Sequence, residues 1–421
     1  LAGSGNFTVE GDFVDNGTWI RTGRLIMAGS GAKSFTGNPS TTYPAIEVAS
    51  GAGIKTFVTD LKVTSLTVNE PSVFKETVTG ATIESHGATF EKDVTSSVLL
   101  TIIDTTLQDS VSAKDVTTGG ITNLTSSTTI SGKLTVNDTT NINDDMTVAV
   151  IINNGTLGGT GAITVTSSFT NNASGTYANN QDLTITGAFT DNGSWSSSGK
   201  ILISGTGTKS ITVNPSTTYP EIEVAAGAGK PTFTNNLSVT TLNVQSASTF
   251  NGTVDAVDIS TSGIGTTAFG ATVTATGSVS TSGTTNFTDD VEINGPLTTA
   301  GTTSFGGAVN VTGDITTSGT TTFSGAVNAL RDVIADGTTK FNGTTNVAGI
   351  FTNNGTTTFG GETTLGSLDN NNTVTGAGNI TVQGDFTNRT GVTLSGSGNF
   401  TVEGDFTDDG NWLRTGTLIM A

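Results

Sequence analysis

Apolar and polar residues alternate in short runs along most of this chain, and between Gly265 and Phe359 the alternation becomes strictly periodic. The phrase Gly-Thr-Thr-X-Phe occurs there six times, beginning at Gly265, Gly283, Gly301, Gly319, Gly337 and Gly355. It ends at Phe269, Phe287, Phe305, Phe323, Phe341 and Phe359, and the interval never varies in either series (283 − 265 = 18). Strand side chains point alternately to opposite faces. With each Phe inward, the fourth residue onward is Val273, Val291, Val309, Val327, Thr345 and Thr363. The sixth is Ala275, Ile293, Val311, Ala329, Val347 and Leu365, and the tenth is Val279, Leu297, Ile315, Val333, Phe351 and Asp369. Such rows at a fixed short period predict a solenoid, each repeat one coil stacked on the last, with a narrow core that weakens at the final coil. The Gly before each Thr pair is expected at a corner of positive φ. The Asn-rich phrases at Asn153-Asn154-Gly155, Asn171-Asn172 and Asn353-Asn354-Gly355 are expected at corners for the same reason.

A looser version of the pattern precedes the ladder. Phe13, Phe35, Phe57, Phe74 and Phe90 are spaced by 22, 22, 17 and 16, and Phe233 and Phe250 lead into the regular stretch. Between Glu91 and Asn154 the aromatic marker gives way to Leu, Ile and Val, and short strands are still expected. The fold class read from these patterns is all-β, a single-stranded parallel β-helix (β-solenoid) with coils of 16–22 residues. It is expected to be right-handed, because the aliphatic-Gly hexads of left-handed forms are absent and parallel crossovers favour the right hand. Roughly 20 to 24 coils at about 4.8 Å predict a stack on the order of 100 Å.

Longer repeats overlie the coils. Residues Leu394 to Ala421 match Leu1 to Ala28 at 22 of 28 positions, an offset of 393. Asn38 to Gly53 returns at Asn214 to Gly229, an offset of 176, and Trp19, Trp195 and Trp412 fall at equivalent positions. The reading is one module over 1–176, a second over 177–393 with its regular coils at about 265–369, and the start of a third over 394–421. The second module is the longer by 217 − 176 = 41, which suits two inserted coils. The start in Leu1 and the finish in mid-pattern suggest a processed product or a piece of a longer repetitive protein.

Composition sharpens this picture. The chain of 421 residues has 56 Gly and no Cys, and only 12% of residues are charged. The net charge of −19 argues against nucleic acid, whose phosphates need Lys and Arg. It equally disfavours anionic membrane surfaces, and no apolar run approaches the ~20 residues of a membrane helix.

The run Asn153 to Val165 (NNGTLGGTGAITV) resembles repeats of autotransporter and filamentous-haemagglutinin-like β-helices. Gly17 to Val68 resembles repeats of giant surface proteins of Bacteroidetes and related bacteria. The resemblance covers most of the chain and implies secreted, elongated stalks or fibres serving adhesion or surface coating.

Candidate chemistry is sparse. The single histidine, His86, pairs with no nucleophile or ligand cluster in the sequence and reads as a solvated residue. Glu10, Asp12 and Asp15 recur as Glu403, Asp405 and Asp408, with Asp409 beside them, and Asp144-Asp145 and Asp289-Asp290 are further pairs. A Ca²⁺ ion takes six to eight oxygens, so these acids are weak calcium candidates; the alternative is solvated turns. No other cofactor is expected. Paired carboxylates also serve glycoside hydrolysis, but the 16 basic residues are scattered, and the chain is read as non-enzymatic. The phrase Asn-Pro-Ser-Thr-Thr-Tyr-Pro supplies Pro39, Tyr43 and Pro44, then Pro215, Tyr219 and Pro220. It is read as a lateral-contact or carbohydrate-binding loop, or as a rigid turn with Tyr covering the core.

The expectation is an extracellular or cell-surface fibre, stalk or filament whose partner is itself, end to end, with lateral bundling or surface glycans as further partners. The alternative is a carbohydrate-binding or carbohydrate-cleaving β-helix. Ice binding ranks below both. The outward Thr266, Thr284, Thr302, Thr320, Thr338 and Thr356 form a row, but beside them Ala268, Asn286, Ser304, Thr322, Lys340 and Thr358 include only two Thr.

Overall fold

A computed structural model describes residues 1–421. It contains strands and turns and no helix, and every strand pairing given by register is parallel. The pairing network winds from turn to turn as a β-solenoid of about 23 turns and does not close as a barrel. The chain divides into two compact units, Leu1–Ile201 and Leu202–Ala421.

In the first unit a typical turn has one long strand and one short one. The long strands Val78–His86, Val94–Ile103, Val111–Gly119, Thr128–Val136 and Met146–Asn153 stack in parallel register. Each has a register irregularity near its middle, for instance between Ser96 and Leu99, as β-bulges produce. The short strands place Phe90, Leu107, Leu124 and Ile142 opposite one another. The Phe row of the sequence therefore continues with aliphatic residues where the aromatic marker lapses. The row then ends against Gly159, whose φ of 115° and close approach to the Ile142 carbonyl leave no room for a side chain. The next column inherits the bulk: Thr140 pairs with Leu157, Leu157 with Tyr177, and Tyr177 with Trp195.

In the second unit the regular turns carry three short strands, such as Thr284–Phe287, Val291–Ile293 and Leu297–Thr299. Each pairs with its counterpart one repeat on, Phe287 with Phe305, Val291 with Val309 and Leu297 with Ile315. The Phe rings stack at 4.8 to 4.9 Å from Phe250 to Phe341 and at 5.3 Å to Phe359. That distance is the strand spacing itself, so backbone pairing and ring stacking reinforce each other. The Val, Ile and Leu rows anticipated beside them are buried.

Three expectations are corrected. First, among the ladder glycines only Gly265 has a positive φ. Gly301, Gly319, Gly337 and Gly355 are required by contact instead: a Cβ there would lie 2.0 Å from the carbonyl oxygen of the glycine one turn below. That carbonyl also accepts the amide of the following Thr, as in Thr302 N to Gly283 O at 3.0 Å, so the backbones cannot separate without losing the bond. Second, the Asn-rich corners are not left-handed; Asp104, at φ 50°, is the one non-Gly residue with positive φ. Third, Asp369 does not enter the core. The turn that begins at Phe351 is one position shorter than those of the ladder and pairs Phe351 with Leu368. Leu368 therefore takes the inward place, and Asp369 turns outward to an ion pair with Arg389 at 2.8 Å.

Candidate interaction surfaces and buried polar rows

The second Thr of each Gly-Thr-Thr-X-Phe phrase shares the inward face with its Phe and is buried. In four of the six phrases its hydroxyl meets a Thr hydroxyl of the preceding turn: Thr261 with Thr285, Thr281 with Thr303, Thr299 with Thr321 and Thr317 with Thr339, at 2.6 to 2.7 Å. These pairs lie where the chain turns a corner, and each satisfies two polar groups that burial would otherwise penalise.

Where Thr is absent, asparagine does the same. Asn153 donates to Asn171 and Asn171 to Asp191, each at 2.8 Å, with all three fully buried. In the second unit Asn353 donates to Asn370, Asn370 to Asn388 and Asn388 to Asp408, at 2.7 to 2.8 Å. The second amide hydrogen goes to a backbone carbonyl, that of Thr373 for Asn353 and that of Thr393 for Asn370. Thr357 caps the start of this row by donating to Asn353 Oδ1 at 2.7 Å. The corner asparagines are thus chosen for a side chain that both donates and accepts along the stack.

Two buried lysines fill equivalent cradles in different ways. Lys55 is fully buried, and its ammonium donates to the carbonyls of Gly29 (2.6 Å), Gly31 (3.1 Å), Gly53 (3.2 Å) and Ala52. In the second unit the equivalents of Gly29, Gly31 and Ala52, at the offset of 176, are Gly205, Gly207 and Ala228. There Lys209 donates to their carbonyls at 2.8, 2.9 and 2.6 Å. Yet Lys209 is the counterpart of Lys33, not of Lys55, whose own counterpart is Pro231. The ammonium comes from the upper turn in one unit and from the lower turn in the other, since Lys33 pairs with Lys55 and Lys209 with Pro231. Burial pulls both pKa values below the ordinary lysine value, while the ring of carbonyls holds the charged form. The signal was in the sequence: in Lys55-Thr56-Phe57 an inward Phe puts the Lys inward too. Because Lys33 stands beside the cradle, Lys55→Met is expected to cost less than Lys209→Met, which should lose about 2–3 kcal/mol. The double variant Lys33→Met/Lys55→Met should reach the Lys209→Met value; denaturation midpoints check this.

The acidic residues are occupied in a third way. Asp12 Oδ1 accepts the Ser34 amide at 2.8 Å, Asp258 the Ser278 amide at 2.7 Å, Asp290 the Ala308 amide at 2.7 Å and Asp332 the Ile350 amide at 2.8 Å. Each bond spans 18 to 22 residues and ties a corner to the next turn. Two further calcium candidates, Asp15 and Asp408, also have bonded carboxylates, whereas Asp405 bonds through its backbone amide. Asp15 accepts from Gly17 N and from Tyr43 Oη, Asp408 from Asn388 and Gly410 N, and the Asp405 amide donates to Asp385. Glu10 and Glu403 are exposed. No three His, Asp or Glu side chains converge as metal ligands would. His86 contacts Glu84 at 3.4 Å on the surface.

The amide bond to Ser278 holds the Asp258 carboxyl below its ordinary value, with a second bond from the Ser278 hydroxyl, and Asp12 is lowered by Ser34 in the same way. A carboxylate lowered in the folded state contributes stability above its unfolded pKa, and that contribution is lost as pH falls through the folded value. Stability at these corners should therefore hold from neutrality to about pH 4 and fall below it. Asp258→Asn keeps an acceptor without the titration, so its denaturation midpoint should fall less than the parent's between pH 5 and pH 2, roughly the range of carboxylate titration. Equal slopes would refute the role.

Of the two readings of the tyrosine loops, the rigid turn with Tyr over the core is the one the geometry fits. Tyr43 and Tyr219 are fully buried and cannot serve as a contact or sugar platform. Tyr43 packs on Trp19 and Phe35, and its hydroxyl donates to Asp15 at 2.8 Å while accepting the Asn38 amide at 3.1 Å. Asn38 closes the loop as an Asx turn, its side chain accepting the Ser40 amide and its carbonyl the Thr41 amide. Asn214 repeats both bonds to Ser216 and Thr217. Pro39 and Pro215 stay exposed at the loop tips, and Pro44 and Pro220 are half-buried.

Two grooves meet in the second unit. One, of about 870 Å³, runs beside the exposed Thr284, Thr302, Thr320, Thr338 and Thr356, with the ladder glycines as its floor. The register carries that Thr row on to Thr373 and Thr393, longer than the six positions seen in the repeat. The other, of about 650 Å³, is lined by Ala226, Gly229, Lys230, Gln245 and Ala247. Both share Ile264, which is 95% exposed between the positive-φ glycines Gly263 and Gly265. No helix is long and apolar enough to cross a membrane. No known protein family, no curated protein and no solved structure matches the chain.

Proposed function

We propose that this chain is a non-enzymatic structural protein, a stretch of extracellular fibre or stalk built from tandem β-solenoid modules and used for adhesion or surface coating. The observation that carries the reading is how its reactive side chains are used. Buried lysines plug carbonyl cradles, aspartates cap the amides of the next turn, and Asn and Thr bond along the stack. These groups join one turn to the next and so are not free to serve a substrate.

The long repeat at offset 393 supports continuation. In the second unit residues 394–421 rest on the turn before them, through Val374–Leu394, Ile380–Phe400 and Phe386–Phe406. In the first unit their counterparts carry the turn after them, through Phe13–Phe35 and Leu25–Ile46. One sequence thus accepts a neighbour on either face, as repeat arrays require. The resemblance to bacterial surface repeats adds the extracellular location and the adhesive role. Electron micrographs of the native material test this: filaments support it, and dispersed particles at all concentrations would refute it.

The groove beside the threonine row favours glycan binding as the second reading, with cleavage disfavoured because Asp336 is the one carboxylate in its wall. A glycan array read with and without Thr320→Val/Thr338→Val separates this from a plain solvated face.

A further inference from the structure

The two units treat one position of the repeat at offset 176 differently. In the first unit the Glu70 carboxylate accepts the Gly51 amide at 2.6 Å. Its charge also acts on buried Lys55, opposing the lowering that burial imposes on that ammonium. An amide and a cation together hold the carboxylate. In the second unit the same offset gives Gly227 for Gly51 and Ser246 for Glu70. The cradle keeps its cation, now Lys209, but the carboxylate is gone and the Gly227 amide has no protein acceptor. Two further exchanges accompany this one: Ala247 stands for Pro71, and Lys230 for Ile54. Lys230 is exposed and forms no hydrogen bond or ion pair.

These exchanges coincide with the groove of about 650 Å³, which Gly227, Lys230 and Ser246 line together with Ala226, Ala247 and Ile264. Ile264 lies on an insertion: Phe250 to Phe269 spans 269 − 250 = 19 positions, against 90 − 74 = 16 from Phe74 to Phe90. The wall holds no carboxylate, although the chain carries a net charge of −19. Glu223, on the strand Thr218–Val224, is bonded by Gln245 at 3.3 Å and stays outside the wall.

We propose that this groove binds a small amphiphilic carboxylate of the fatty-acid class, whose head takes the place that Glu70 fills in the first unit. The head accepts the Gly227 amide and pairs with Lys230, with the Lys209 charge behind the wall. The alkyl body lies along Ala226, Ala247 and Ile264. The volume is that of a small-ligand site. Covering Ile264, which is 95% exposed, removes apolar surface from water. A polar acid would leave that surface wet, and a neutral alcohol would leave Lys230 without a counter-charge, so the ligand needs both ends.

Isothermal calorimetry of the full chain with decanoate, decanol and glucuronate, each below any micelle-forming concentration, tests this. Decanoate should occupy a single site and bind at least about tenfold more tightly than either other probe. Ser246→Glu supplies the first unit's own carboxylate and should abolish decanoate binding. Lys230→Ile, which installs the first unit's residue, should weaken it about tenfold, and Lys230→Arg should retain it. Circular dichroism and the denaturation midpoint of each variant against the parent show that the fold is kept. Failure of the parent to bind decanoate would overturn the proposal. So would equal binding of decanol or glucuronate, or undiminished binding in Ser246→Glu or Lys230→Ile.

Discussion

Replacing Phe305 with Ala is expected to cost about 3–5 kcal/mol, the usual range for emptying a buried aromatic site. Phe305 is fully buried, with Phe287 at 4.8 Å on one side and Phe323 at 4.9 Å on the other, all three rings within 5° of parallel. The substitution removes two ring contacts, each worth about 0.5–1.5 kcal/mol beyond the area buried. The hole cannot collapse, because the turns above and below are held at strand spacing by their own backbone bonds. Phe305→Leu retains much of the volume and should cost about 1–2 kcal/mol. In a repeat protein each turn touches only its neighbours. The loss should therefore be local, with amide exchange accelerated over Thr284–Phe287, Thr302–Phe305 and Thr320–Phe323 and unchanged in the first unit. Hydrogen-exchange mass spectrometry reads this directly, and uniform loss of protection along the chain would contradict it.

Asn370→Leu should be comparably damaging although the two side chains are of similar size. Asn370 is fully buried, accepts from Asn353 at 2.8 Å and donates to Asn388 at 2.7 Å. Leucine leaves the Asn353 amide and the Asn388 carbonyl facing an apolar group. Each unsatisfied buried group costs about 1–3 kcal/mol, so the sum is roughly 2–6 kcal/mol. The neighbouring Asn371 makes a similar bond to Asn354 on the exposed face, and Asn371→Leu should cost less than about 0.5 kcal/mol. Asn370→Asp adds a pH test. Its carboxylate would be buried and opposite the Asn388 oxygen, so its folded pKa is expected to rise. A raised carboxyl pKa means the variant loses stability relative to the parent as pH rises from the carboxylate range toward neutrality. Denaturation midpoints of parent, Asn370→Leu, Asn371→Leu and Asn370→Asp between about pH 3 and pH 7 separate these effects.

Much of the architecture was legible because solenoid cores are written in rows. The regular Phe and Val series gave the strands, their parallel register and their inward faces without long-range information. What the rows did not reveal were the reasons for the polar residues among them. Glycine before Thr-Thr was read as a matter of φ, whereas the carbonyl of Gly283 against Gly301 decides it, and that approach exists only once turns are stacked. Asparagine at the corners carries the same ambiguity, since turn preference and inward ladder both favour it. Burial of Asn153 and Asn370 settles the matter for the ladder. Asp369 was misplaced because one turn is a single position shorter than its neighbours, and a one-residue slip moves a side chain to the other face. For Tyr43 and Tyr219 the sequence allowed either a contact loop or a rigid turn with Tyr over the core; burial decides for the turn, and the Tyr43 bond to Asp15 depends on a neighbouring turn that sequence spacing does not identify. Lys55 and Lys209 could have been found from alternation alone, had charge not argued against an inward place.

The central claim is that these side chains exist to join one turn to the next and so build a fibre. Cryo-electron microscopy of the native material tests it most directly. Filaments whose averaged images show a layer line at about 4.8 Å along the axis, the spacing of parallel strands, are the expected result. Discrete particles that never associate end to end, or filaments whose strands run along the axis without that layer line, would contradict it.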